Sequence, residues 1–140
     1  MPRIRTAGVI ATTSALALAL SGCSVVGAFG PHVSAEIFDT AKEMKAANTA
    51  VFGSPKFVPD DATIIRVDYD TSDGSAIMTY SSKAHVAPGT CATEVPMPKP
   101  TIQDSWWPVD GLPAKAGDCG GGWSGFAIGD QVYAAKAPNK

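Results

Sequence analysis

Six prolines stand between Pro88 and Pro113, at positions 88, 96, 98, 100, 108 and 113. Each removes an amide donor and fixes φ, so no helix can run through this stretch. Cys91 lies near its start and Cys119 just past its end. In an exported chain an isolated pair of this kind forms a disulfide. Closing a loop of about 29 residues would stabilise the fold by roughly 3–4 kcal/mol through the lost entropy of the unfolded chain. A connection this long without secondary structure of its own is functional or flexible. The crosslink favours an ordered loop. The competing reading is a metal site holding both thiolates with His85 or Asp118, which no Cys-x-x-Cys spacing supports.

Around this loop the pattern predicts one helix and two hairpins. Ser34 to Phe52 carries the helix signal. Ser34 can cap the first turn, Glu36 suits the positive end of the dipole, and Val33 with Phe38 fits a hydrophobic staple. Ile37, Ala41, Met44, Ala47 and Val51 recur every three or four residues as one apolar face, in which Met44 reads as core rather than as a metal ligand. Gly53 and Pro55 end the helix. Thr63 to Tyr69 is β-branched and aromatic, with Ile65, Val67 and Tyr69 on one side. Asp70 to Gly74 is turn chemistry, and Ser75 to Ser82 returns. Trp123 to Ile128, the turn Gly129-Asp130, and Gln131 to Ala137 form the second hairpin, after which Pro138-Asn139-Lys140 should fray. The expectation is an α+β fold: one N-terminal helix packed on a small antiparallel sheet of about four strands, with a long disulfide-bridged Pro-rich loop.

The N-terminus carries a separate signal. Arg3 and Arg5 precede an apolar run from Ala7 to Leu20, which is shorter than the ~20 residues a spanning helix needs. The run closes on Leu20-Ser21-Gly22-Cys23. This order resembles the lipobox of bacterial lipoprotein signal peptides. The resemblance implies diacylglyceryl transfer to the Cys23 thiol, cleavage between Gly22 and Cys23, and a protein held by acyl chains without a spanning helix. An ordinary signal peptide cut after Ser21 or Gly22, or an uncleaved anchor, leaves the position of Cys23 unexplained. The chain then divides into a signal peptide over 1–22, a lipidated tether over 23–33 and one domain over 34–140. His32 sits in the tether without an evident partner. The whole pattern also bears a loose likeness to small uncharacterised lipoproteins of high-GC Gram-positive bacteria, which would place it on the outer face of the plasma membrane. An outer membrane is the alternative in a Gram-negative source.

Removing residues 1–22 leaves about 118 residues and moves the formal charge from −2 to about −4. The charges are scattered, and the absence of a basic stripe argues against a nucleic-acid partner. Asp68 to Gly74 looks like a calcium loop, but Gly74 falls at the seventh position and Thr79 at the twelfth. An acidic hairpin turn explains it better, with weak calcium binding helped by Asp60 or Asp61 left open. Cys119-Gly120-Gly121-Gly122-Trp123 lacks the Lys-Ser/Thr of a phosphate loop.

Catalysis finds no support, because His32 and His85 have no nucleophile arranged beside them. No catalytic residue, metal ligand or cofactor is assigned. Trp106, Trp107 and Trp123 are the candidate partner or ligand surface, each offering a flat apolar face and one N–H donor. The competing reading makes them core, and Tyr69, Tyr80 and Tyr133 read as packing on the same sheet. The expected role is a membrane-anchored, non-enzymatic binding or accessory module, meeting membrane lipid through acylated Cys23 and an envelope protein or the cell wall through its domain. The alternatives are a metal- or solute-capturing lipoprotein and a cell-wall-acting hydrolase.

Overall fold

A computed structural model describes residues 32–140. Cys23, the signal segment and most of the tether lie outside the described residues. The described chain is a seven-stranded, wholly antiparallel sheet with one short helix. The strands are β1 (Val33–Thr40), β2 (Thr63–Asp70), β3 (Ala76–Ser81), β4 (Thr93–Pro96), β5 (Lys115–Gly120), β6 (Trp123–Ile128) and β7 (Gln131–Lys136), and α1 is Ala41–Ala47. Their order across the sheet is β1-β2-β3-β7-β6-β5-β4. Two meanders, β1-β2-β3 and β4-β5-β6-β7, are therefore joined edge to edge by the β3–β7 pair.

This corrects the expected helix on four strands. Both hairpins are present, as β2–β3 and β6–β7. The first half of the expected helix is instead β1, paired with β2 from Val33↔Asp70 to Thr40↔Thr63. Local propensity is a weak preference, and a full-length partner strand outweighs it. Alternation accounts for the apolar residues as well as helical spacing does. Phe38 packs toward Phe52, with ring centroids 6.3 Å apart, while Ile37 points away and is 67 % exposed. The helix starts where Thr40, not Ser34, accepts from the Glu43 N–H at 3.3 Å, and Glu43 reaches back to the Asp39 N–H at 3.0 Å. It ends at Asn48, whose left-handed backbone returns its N–H to the Met44 carbonyl. The tether also ends earlier than expected. Val33 already belongs to β1, and the His32 carbonyl accepts from both the Thr71 N–H and its hydroxyl.

The Pro-rich segment is the second correction. It holds β4 near its start, against β5 just beyond its last proline. The Cys91–Cys119 disulfide ties this edge pair, with Cα atoms 4.1 Å apart. Residues 88–92 and 97–114 remain as loop.

The sheet buries two faces unequally. On the first face Ile65, Val67, Tyr69, Met78, Tyr80 and Val132 meet Met44 of α1 and Phe52, Phe57 and Val58 of the following segment. Trp123 joins this core at 4 % exposure. On the second face Ile77 and Ala135 are covered by Ile102, with Trp106 and Trp107 packed alongside, all three from loop 97–114. The acidic turn after β2 is held by its own side chains. Asp70 accepts from the Ser72 N–H at 2.7 Å, and Asp73 accepts from Ser75. The C-terminus is pinned rather than frayed, since the Asn139 N–H donates to the Asp73 carbonyl at 2.7 Å.

Candidate functional site

The second face is covered over one half and open over the other. Trp107 is the anchor of the covering loop. Its ring meets Phe126 and Tyr133 edge-on, at centroid distances of 5.8 and 6.0 Å, while Phe126 stacks on Tyr133 at 5.6 Å. Trp106 stands next to it at 63° and 6.3 Å and forms the boundary of the open half. Beyond it runs a groove of about 230 Å³, lined by Ile64, Arg66, Thr79, Ser81, Gln131 and Tyr133 besides Trp106. The register explains this lining. Arg66↔Thr79, Thr79↔Tyr133 and Ser81↔Gln131 are cross-strand partners on β2, β3 and β7, so their side chains share one face. A bulge between Thr63 and Arg66 places Ile64 at positive φ and leaves it 57 % exposed at the rim.

The groove floor is a hydrogen-bonded row. The Ser81 hydroxyl donates to Gln131 Oε1 at 2.9 Å, Gln131 Nε2 donates to Thr79 Oγ1 at 2.6 Å, and the Thr79 hydroxyl donates to the Val132 carbonyl at 2.9 Å. One amide N–H of Gln131 and the lone pairs of Ser81 are left over for a ligand. Arg66 is the one charged group of the lining and makes no ion pair among the described residues.

Asp68 and Asp104 lie beside Trp106. Asp68 lies on β2 between Ala35 of β1 and Ile77 of β3, both apolar, and is 2 % exposed. Burial pushes its carboxyl up to about 7, and the neighbouring Asp104 carboxylate adds to the rise. Burial also opposes the charge of Asp104, but hydrogen bonds from Ser105 and from Asp68 outweigh it and hold Asp104 below the ordinary carboxylate range. The two shifts run in opposite directions, which leaves Asp68 the protonated member and Asp104 the charged member of the pair. Asp68 Oδ2 is buried and has no hydrogen-bond partner among the described residues. Trp106 stands beside both carboxyl groups and helps to lower each of them.

The three tryptophans singled out from the sequence do not converge. Trp106 and Trp107 sit on the second face, and Trp123 is core on the first. Asp68, Asp104 and Arg66 were not singled out for a site. The signal for Asp68 is a carboxylate at an interior position of a β-branched strand, and sequence spacing groups it with the acidic turn that follows. Asp104 and Arg66 carried no sequence signal.

Elsewhere the polar side chains hold structure. Asp61 accepts from the Ser82 hydroxyl at 2.7 Å and from the amides of Lys83 and Ala84, which keeps its carboxyl low. His85 lies 4.0 Å from Asp130, and its carbonyl accepts from the Tyr80 hydroxyl at 2.8 Å. Among the described residues no three His, Cys, Asp or Glu side chains gather as a metal site would require. None of the described helices is long and apolar enough to cross a membrane. Comparison with protein-family models, with curated proteins and with solved structures finds no match for this chain.

Proposed function

We propose that this chain is an extracytoplasmic lipoprotein, held to the membrane through acylated Cys23, whose domain is a non-enzymatic binding module. The observation that carries the binding reading is the half-open second face. A disulfide-tied edge and the Trp107 anchor hold loop 97–114 in place, and Trp106 packs against Trp107 at the border of a groove that remains accessible. A flat aromatic wall, spare hydrogen-bonding capacity and an unpaired guanidinium are the usual content of a recognition surface. Exposed Ile37 and Ile64 extend it with apolar area.

The acid pair supports recognition over hydrolysis. Glycosidase carboxyls stand about 5 Å or more apart around a bond to be cut. Asp68 and Asp104 instead lie close enough to shift each other, and Asp68 is too deeply buried to touch a substrate. The binding reading is tested by crosslinked pull-down of the tagged chain from its own membranes, beside Trp106→Ala. Capture of a defined envelope partner by the parent and its loss in the equally stable variant is the expected result. Identical captures from both forms would remove the groove from the reading.

A further inference from the structure

We propose that a second site, on the opposite face of the sheet, binds a small organic anion with an apolar body. A cleft of about 380 Å³ opens there between Lys56 and Lys136. Its floor is formed by Phe52, Phe57 and Trp123, with Phe57 and Trp123 at a centroid distance of 5.6 Å. One wall is Cys119-Gly120-Gly121. Gly120 and Gly121 both lie at positive φ, and a Cβ added at Gly120 would meet no atom within 4 Å, so this wall is bare backbone with free space beside it.

Charge decides the class of ligand. Lys56 and Lys136 are the only charged residues of the lining, in a chain with 13 acidic and 11 basic residues. Neither ammonium has a carboxylate partner among the described residues, where the lysine ion pairs are Lys45–Asp60 and Lys115–Glu94. Lys136 donates to neutral acceptors, the Gly74 carbonyl at 2.8 Å and Asn139 Oδ1 at 3.1 Å, which fixes the ammonium without neutralising it. Two lysines without carboxylate partners on the lining of an aromatic cleft attract an anion. The floor rejects a bare hydrated one, because ring edges replace none of the hydrogen bonds it would lose. The ligand therefore brings its own apolar surface to the floor and places a carboxylate, phosphate monoester or sulfonate between the lysines. The volume lies near the lower end for small-molecule pockets, which suits a compact acid rather than a polymer segment. This site shares no residue with the groove beside Trp106.

The test is calorimetric titration of the full chain with 2-naphthoate, with its neutral counterpart 2-naphthylmethanol, and with inorganic phosphate. Saturable one-to-one binding of the acid is expected, with the alcohol and phosphate each weaker by about tenfold or more. Lys56→Gln should weaken the acid several-fold at unchanged thermal stability, since Lys56 is exposed. Arg66→Gln, on the other face, should leave it unaltered. Equal affinities for acid and alcohol, phosphate binding as tightly as naphthoate, no saturable heat at millimolar acid, or loss of binding in Arg66→Gln rather than Lys56→Gln would each overturn the proposal.

Discussion

Asp68 and Asp104, from a central strand and from the covering loop, lie beside each other on the second face of the sheet with their carboxyl groups shifted in opposite directions. The pairing sets a loop carboxyl against a sheet carboxyl beside Trp106. It also makes the attachment sensitive to pH.

The direction of that sensitivity follows from the raised value of Asp68. Below about pH 4 the group is protonated in both the folded and the unfolded chain. As pH climbs toward 7 the unfolded chain releases the proton while the folded chain keeps it, so stability falls across this window and levels off above it. The full loss is on the order of 4 kcal/mol for a shift of this size. Asp68→Asn supplies a permanent amide donor to Asp104. Urea unfolding at pH 5 and pH 8 should show the parent weakening with pH and the variant nearly level, more stable than the parent at pH 8. Parallel curves would show that the Asp68 carboxyl is not raised in the folded chain.

The two adjacent tryptophans should separate in energy. Trp107→Ala removes the ring that meets Phe126 and Tyr133 and should cost about 2–4 kcal/mol, somewhat below a fully buried aromatic. Trp106→Ala, at the border of the open groove, should cost about 1 kcal/mol or less. Chemical denaturation of both variants checks the order, and equal losses would mean that Trp106 is the second anchor.

Removing the crosslink with Cys91→Ser and Cys119→Ser should lower stability by about 3 kcal/mol. The effect should be local. Amide exchange should accelerate in Thr93–Pro96 and around Ile102, while β2 and β3 keep their protection. Mass analysis of the non-reduced parent should find neither Cys91 nor Cys119 as a free thiol.

Cys23→Ala should accumulate as an uncleaved precursor without lipid label, since both proposed processing steps need that thiol. Normal processing and labelling of the variant would end the lipoprotein reading.

The two hairpins were legible because alternation and turn chemistry agree in each. The Asp70–Gly74 and Gly129-Asp130 turns join strands that both pair along nearly their whole length. Residues 33–40 were not legible in the same way. Ile37, Ala41 and Met44 keep a helical spacing, yet Ile37 is exposed and only Ala41 and Met44 turn inward on α1. What decides for a strand is β2, a partner that local spacing does not reveal. β4 and β5 were hidden similarly, by prolines at one end and glycines at the other. A proline at the edge of a sheet is tolerated where its missing N–H would face outward, and Pro96 sits in the edge strand β4. The tryptophan-bearing loop was found from composition. The carboxyl beneath it was not, because the meeting of Asp68 with Asp104 depends on how the loop folds back.

The junction of β3 with β7 has a temporal consequence. The middle of the sheet is closed by residues 131–136, almost the last in the chain, against residues 76–81. Until β7 is in place, β3 presents a bare hydrogen-bonding edge, and Met78 and Tyr80 lack the neighbours Ala134 and Val132. The most distant pairing is also the one on which both meanders depend, and distant contacts are slow to form because a long stretch of chain must first be brought together. The core is therefore incomplete while only the first meander has formed. It locks when residues 131–136 settle between β3 and β6.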